Sequence, residues 1–179
     1  MVDSMDNQNL SKIQKSREYQ NVKIIEYTPE FNACYKKLNY EWLKKYFEIE
    51  PKDEKILSDP QKQIIEKNGF IFFAILDNKV IGTCTLCKTD ETSYELTKMC
   101  VTEKYQGKGV GERLLDEAIL KARTLHLKKI YLFTNHNLTT AFHLYMKKGF
   151  QVFNNHRALC SDYKRVSIYM CLNIEDTTE

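Results

Sequence analysis

Glycine and proline are scarce in this 179-residue chain, at six and three positions. That excludes collagen-like repeats and the Gly/Pro-rich composition of low-complexity proteins. An excess of one charge is lacking too. The 27 basic and 24 acidic residues leave a formal net charge of +3, so nothing general drives the chain toward nucleic acid or an anionic membrane. No apolar run approaches the roughly 20 residues that cross a bilayer. Met1–Gln20 is polar, carries Asp3, Asp6, Lys12, Lys15 and Arg17, and lacks the apolar stretch of a secretory signal. These absences predict a cytoplasmic protein, with residues 1–20 as a flexible leader, 21–174 as one domain and 175–179 as a polar tail. Hydrophobic and charged contents of 42% and 28% fit such a globular domain.

Metal and disulfide chemistry are not encoded in any usual pattern. Cys34, Cys84, Cys87, Cys100, Cys160 and Cys171 are even in number. Without an export signal, and lying mostly in apolar segments, they are expected as free buried thiols. Cys84 and Cys87 form a lone C-x-x-C inside the apparent strand Val80–Thr89. Three residues apart on a strand, they point to opposite faces and do not share a metal. His126, His136, His143 and His156 have no metalloprotease spacing, so no metal is predicted.

What is present is a clear alternation of elements. Val22–Tyr27 reads as a strand. Thr28-Pro29 then opens a helix over Phe31–Phe47, and Asp59-Pro60 opens a shorter one through Lys67, ended by Asn68-Gly69. Phe70–Leu76 is a continuous apolar run, hence a buried strand. Val80–Thr89 returns beside it after Asp77-Asn78-Lys79, and Tyr94–Val101 completes an antiparallel meander. Gly109–Leu125 is an amphipathic helix with Leu114, Leu115, Ala118, Ile119, Ala122 and Leu125 on one face. Lys129–Thr134 is a strand, Thr139–Lys148 a helix stopped by Gly149, and Gln151–Asn154 and Arg165–Leu172 are final strands. The predicted class is α+β, a mixed and mostly antiparallel central sheet flanked by helices.

Chemistry concentrates between Tyr94 and Phe150. After the strand ending at Val101 come Gln106-Gly107-Lys108-Gly109-Val110-Gly111 and the long helix. Glycines permit a tight turn and close approach to the backbone. The unpaired N–H groups and positive dipole end of the helix make an anion site suited to a pyrophosphate, to which Lys108 and Arg113 add charge. A Walker A loop would need Ser or Thr after the lysine, and a dinucleotide fingerprint would need G-x-G-x-x-G. The spacing here is G-x-G-x-G.

These residues resemble the Q/R-x-x-G-x-G/A loop of GNAT acetyltransferases. Downstream, Asn137, Ala141, Tyr145, Gly149 and Phe150 are spaced N-x3-A-x3-Y-x3-G-F, similar to the second motif of that family. The stretch Asn39–Pro60, with Trp42 and Ile49–Asp53, also resembles GNAT domains. The resemblance implies a GNAT-like sheet splayed at an acetyl-CoA site, with the pyrophosphate on the amides of Gln106–Gly111. It further implies that the backbone around Met99, Cys100 and Val101 pairs with the pantetheine arm, that Asn137 bonds that arm or a water near it, and that Tyr145 protonates the departing thiolate. On helix spacing alone Tyr145 would be a core aromatic; the motif assigns it the catalytic role.

Glu95 is the candidate base, acting directly or through an ordered water, and a salt-bridged strand carboxylate is the alternative. Cys100 as an acyl carrier is disfavoured because the family transfers directly. Trp42, Tyr46, Glu48, Glu50, Tyr163 and Arg165 are expected on the acceptor side, since aromatic and acidic groups suit an amine. The implied activity is transfer of acetyl from acetyl-CoA to a primary amine of a small molecule. The rivals are a protein or peptide N-acetyltransferase and a non-catalytic acyl-CoA-binding regulator. A monomer or homodimer is expected.

Overall fold

The apolar run Phe70–Leu76 sets the architecture, because a strand apolar at every residue must be covered on both faces. The computed structural model describes residues 21–153 and 164–174. The leader, the tail, Asn154, His156, Cys160 and Tyr163 lie outside them. Seven strands form one open sheet in the order β1-β2-β3-β4-β5-β7-β6. They are β1 (Lys23–Glu26), β2 (Phe70–Leu76), β3 (Lys79–Lys88), β4 (Ser93–Val101), β5 (Lys129–Thr134), β6 (Gln151–Val152) and β7 (Ile168–Asn173). Every pairing is antiparallel except β4 with β5. The helices are α1 (Asn32–Tyr46), α2 (Pro51–Ser58), α3 (Pro60–Gln63), α4 (Val110–Thr124) and α5 (Thr139–Lys147).

Strand β2 alternates strictly between two cores. Phe72, Ala74 and Leu76 join Val110, Leu114, Leu115, Ala118 and Ala122 of α4. Ile71 and Phe73 join Tyr35 and Leu43 of α1, Leu57 of α2 and Ile64. The hairpin between β2 and β3 turns on Asp77 and Asn78, whose φ of +49° and +59° are the two positive values a two-residue turn needs. Cys84 belongs to the α4 core and Cys87 packs against the α1 core, so the C-x-x-C pair is divided by the sheet. The five described cysteines are free thiols.

Three elements differ from the sequence reading. Pro51–Ser58 is a helix, α2, where none is expected. Pro51 occupies its first turn, and Glu50 and Asp53 exchange capping bonds, the Asp53 carboxylate accepting from the Glu50 N–H at 3.1 Å. Carboxylates stand here where Ser/Thr and Glu/Gln usually signal such a start. The helix predicted through Lys67 breaks after Gln63 into a 3₁₀ turn, Ile65–Lys67. The last strand begins at Ile168, not at Arg165. Arg165 is held in a turn by its guanidinium and by its carbonyl, which accepts from Asn135 Nδ2 at 2.6 Å.

Candidate active site

The site arises where two paired strands part. The parallel ladder of β4 with β5 runs only from Ser93↔Lys129 to Leu96↔Leu132. Beyond it β4 continues with β3 while β5 continues with β7. A cleft of about 410 Å³ opens between them. Its walls come from both layers. Leu144 and Tyr145 of α5 lie on one side of the sheet, and Asn39, Trp42 and Tyr46 of α1 with Phe47 on the other. The opening is therefore lined from both faces of the sheet.

A β-bulge shapes the β4 side. Lys98 and Met99 together oppose Cys84, shifting the register between Thr83 and Thr85. Lys98 takes the left-handed conformation, φ +48°. The extra residue inverts the alternation, so Leu96, Met99 and Val101 all face the α4 core. The Thr102 N–H donates to Ile81 O at 2.9 Å, and strand alternation then turns the Val101 N–H toward the cleft. The Val101 carbonyl accepts Gln106 Nε2 at 2.8 Å.

At one end of the cleft the chain enters α4. Gly107 and Gly109 have φ of +69° and +78°, values only glycine adopts readily. A Cβ built at either meets nothing within 4 Å, so the loop surface lies open beside the helix start. This open backbone, with the unpaired N–H groups of a first turn, fits a pyrophosphate. Gly111 packs inward, its Cβ position 3.5 Å from Met99 Cε. Val110 is 1% exposed and belongs to the core, leaving its peptide group as the part that can serve a ligand. Lys108 Nζ donates to Lys104 O at 2.5 Å. Glu112, in the same first turn, is paired with Lys147 and Lys148 at 2.8 and 2.9 Å. The Lys147 and Lys148 bonds hold its carboxyl down to about 2.

Tyr145 projects from α5 into the cleft. Its hydroxyl donates toward Met99 Sδ across the gap at 3.7 Å, and its ring packs on Phe150 at 5.8 Å. Burial pushes its pKa well above the ordinary phenol value, so it holds its proton at neutral pH. Glu95 lines the cleft from the strand opposite, in register with Cys87 and Tyr131. Cys100 also lines it, but burial pushes its thiol up to about 11, which leaves little thiolate for nucleophilic attack. Asn137 is exposed on the rim, its N–H donating to Asn135 Oδ1 at 2.9 Å.

On the α1 side of the cleft, where the acceptor residues are expected, Trp42, Tyr46 and Phe47 form an aromatic wall with ring separations of 5.5 to 6.5 Å. Glu48 is exposed and stands outside that wall. Arg165 and Glu50 come together but face each other. Arg165 Nη1 donates to Glu50 Oε1 at 2.9 Å and to Asp53 Oδ2 at 2.7 Å. Sequence reasoning missed Lys98, Asp53 and Asn135. The one signal for Asp53 was its spacing three after Glu50, around a proline at a helix start.

This arrangement has known counterparts. The model of the acetyltransferase (GNAT) family matches residues 35–150, more than half of the chain. The chain is 31% identical over 100 residues to the uncharacterized N-acetyltransferase YvbK of Bacillus subtilis; the match covers 54% of this chain and 64% of YvbK. An acetyltransferase of the GNAT family from Staphylococcus aureus superposes with a TM-score of 0.79 at 21% identity, over 86% of this chain and 99% of that one. A GNAT family acetyltransferase from Elizabethkingia anophelis with acetyl-CoA bound superposes at 0.57, with 24% identity over 86% and 98% of the two chains. With the matched segment running from α1 to Phe150 and so containing both the glycine loop and Tyr145, this chain belongs to the GNAT family of acetyltransferases.

Proposed function

We propose that the chain transfers acetyl from acetyl-CoA to a primary amine of a small molecule by direct attack. The observation that carries this reading is the cleft lined from both faces of the sheet, with the open glycine loop at one end and the Tyr145 hydroxyl inside it. The Gln106–Gly111 backbone holds the pyrophosphate. The cleft-facing edge of β4 around Met99, Cys100 and Val101 lies along the pantetheine arm, and Asn137 closes over it from the rim. Acetyl-CoA supplies the activated acyl group.

The acceptor enters past Trp42, Tyr46 and Phe47. The Glu95 carboxylate takes a proton from its ammonium, directly or through water, and the freed amine attacks the thioester carbon. As the C–S bond breaks, Tyr145 Oη gives its proton to the sulfur, and the surplus proton on the attacking nitrogen passes through water to the tyrosinate, leaving a neutral amide, the CoA thiol and a restored tyrosine. The Val101 N–H, turned to the open side, is placed to bond the thioester oxygen as charge builds there. Burial keeps the Tyr145 phenol protonated at neutral pH, so it enters the step as a donor.

The test is CoA-thiol release by purified protein from acetyl-CoA with a panel of small amines, amino acids and peptides. Acceleration by one small amine supports the reading, and acceleration by peptides alone replaces the acceptor. Tight CoA binding with no acceptor-dependent release would make the chain a binding regulator.

A further inference from the structure

One group of charges in the cleft wall takes no part in the reaction so derived. Lys98 sits at the β4 bulge in a backbone conformation rare for a residue with a side chain. Its side chain is 4% exposed, and Nζ donates at 3.0 Å to Oδ1 of Asp53, which is 0% exposed. The same carboxylate accepts two bonds from the Arg165 guanidinium, at 2.7 and 2.8 Å. Buried charges persist only with partners, so the three groups stand or fall together. They come from three separate places: the bulge of β4, the capping box that opens α2, and the turn ahead of β7. Apolar side chains of similar volume would fill this space at no greater cost to folding. What bidentate and charge-assisted hydrogen bonds add is fixed direction.

We propose that Lys98, Asp53 and Arg165 are positioning residues. They lock the β4 bulge to the turn ahead of β7 and so set the cleft-facing peptide groups of Met99–Val101 against the acetyl group. This rests on the acetyl-CoA reading above. Asp53 is the hinge of the unit, since both cations reach the bulge and the turn through its one carboxylate.

The experiment measures CoA and acetyl-CoA binding by calorimetry in the full chain and in two variants. CoA reports the phosphate loop together with the pantetheine arm, and the ratio of the two dissociation constants isolates the acetyl contact. Lys98→Met keeps the side-chain length and leaves Asp53 paired with Arg165. It should weaken acetyl-CoA relative to CoA by about 10-fold, as expected for a displaced hydrogen bond. Arg165→Gln should move the same ratio the same way, and Lys98→Arg should restore it. The double variant should add little to the larger single effect, because the two act through one carboxylate. A merely structural role lowers the melting temperature and both affinities together. A ratio unchanged in the variants therefore overturns the proposal. Should Lys98→Met fail to fold, the Arg165→Gln ratio decides alone. A native chain that binds neither ligand overturns the acetyl-CoA reading instead.

Discussion

At the scale of single residues, the proposed mechanism divides two proton transfers between Tyr145 and Glu95. Tyr145→Phe removes the hydroxyl that reaches Met99 and keeps the ring on Phe150. Acetyl-CoA affinity should hold while turnover falls by roughly 10- to 10⁴-fold, the range for loss of a positioned acid. Steady-state rates with the best amine of the panel, beside calorimetric affinities, check this; unchanged turnover would return Tyr145 to simple packing. Glu95→Gln should cost most at low pH, where the amine is protonated and needs a base. The deficit should shrink as pH rises and free amine appears, so a flat loss across a pH–rate profile points to water orientation instead. That Glu95, the glycine loop and Tyr145 line one cleft was partly legible in the sequence, because the loop and the N-x3-A-x3-Y-x3-G-F spacing are local patterns. Lys98 and Asp53 were not. Their pairing spans 45 positions, and no local rule marks a buried lysine at a bulge. Arg165 was singled out, but for the acceptor side, because its tie to Asp53 spans 112 positions.

At the scale of elements, β2 and α4 were legible and α2 was not, for a common reason. An apolar run and a helical stripe announce themselves through burial, whereas α2 buries only Asp53 and Leu57 and starts on a carboxylate capping pair. Helix α4 buries six side chains against the sheet. Leu114, 0% exposed, should lose about 2–5 kcal/mol on truncation to alanine, readable in a denaturant midpoint. The opening of α4 makes a different prediction. Gly109 has φ +78° with open space around its Cβ, so Gly109→Ala strains only the backbone, by about 1 kcal/mol. Gly109→Glu adds a negative side chain beside the proposed phosphate site. The alanine variant should keep a weakened thermal shift with CoA. The glutamate variant should lose the shift altogether while melting near the alanine variant in the absence of ligand.

At the scale of the whole molecule, stability should answer to ligand, to reductant and to acid in separable ways. A ligand that binds only the folded state contributes about 2.7 kcal/mol at one hundred times its dissociation constant, so millimolar CoA should raise the melting temperature by several degrees. Dithiothreitol should leave it unmoved, because the described cysteines are free thiols and remove no cross-link when reduced. Acid acts through the carboxylates whose folded pKa lies below the unfolded one. Burial pushes Asp53 up, but the Arg165 hydrogen bonds and the Lys98 charge outweigh it and leave its pKa lowered. Glu112 falls from 4.5 to about 2 through Lys147 and Lys148. For a depressed carboxylate, stability is fully present above the unfolded pKa and lost as pH falls through the folded one. Glu112 therefore places its loss between about pH 4.5 and 2, and Asp53 places its own below 3.8. They should not contribute equally. Glu112 is paired on the surface, where solvent and salt screen the attraction, so Glu112→Gln should change the acid limb little, and less still at high salt. Asp53 is 0% exposed, and its protonation takes the carboxylate charge away from the buried Lys98. Asp53→Asn should therefore melt low at neutral pH and show a flattened dependence below pH 3.8. Chemical denaturation from pH 7 to 2 at two salt concentrations separates them, and an acid limb that survives Asp53→Asn unchanged would show that the buried cluster does not hold the two cleft walls together.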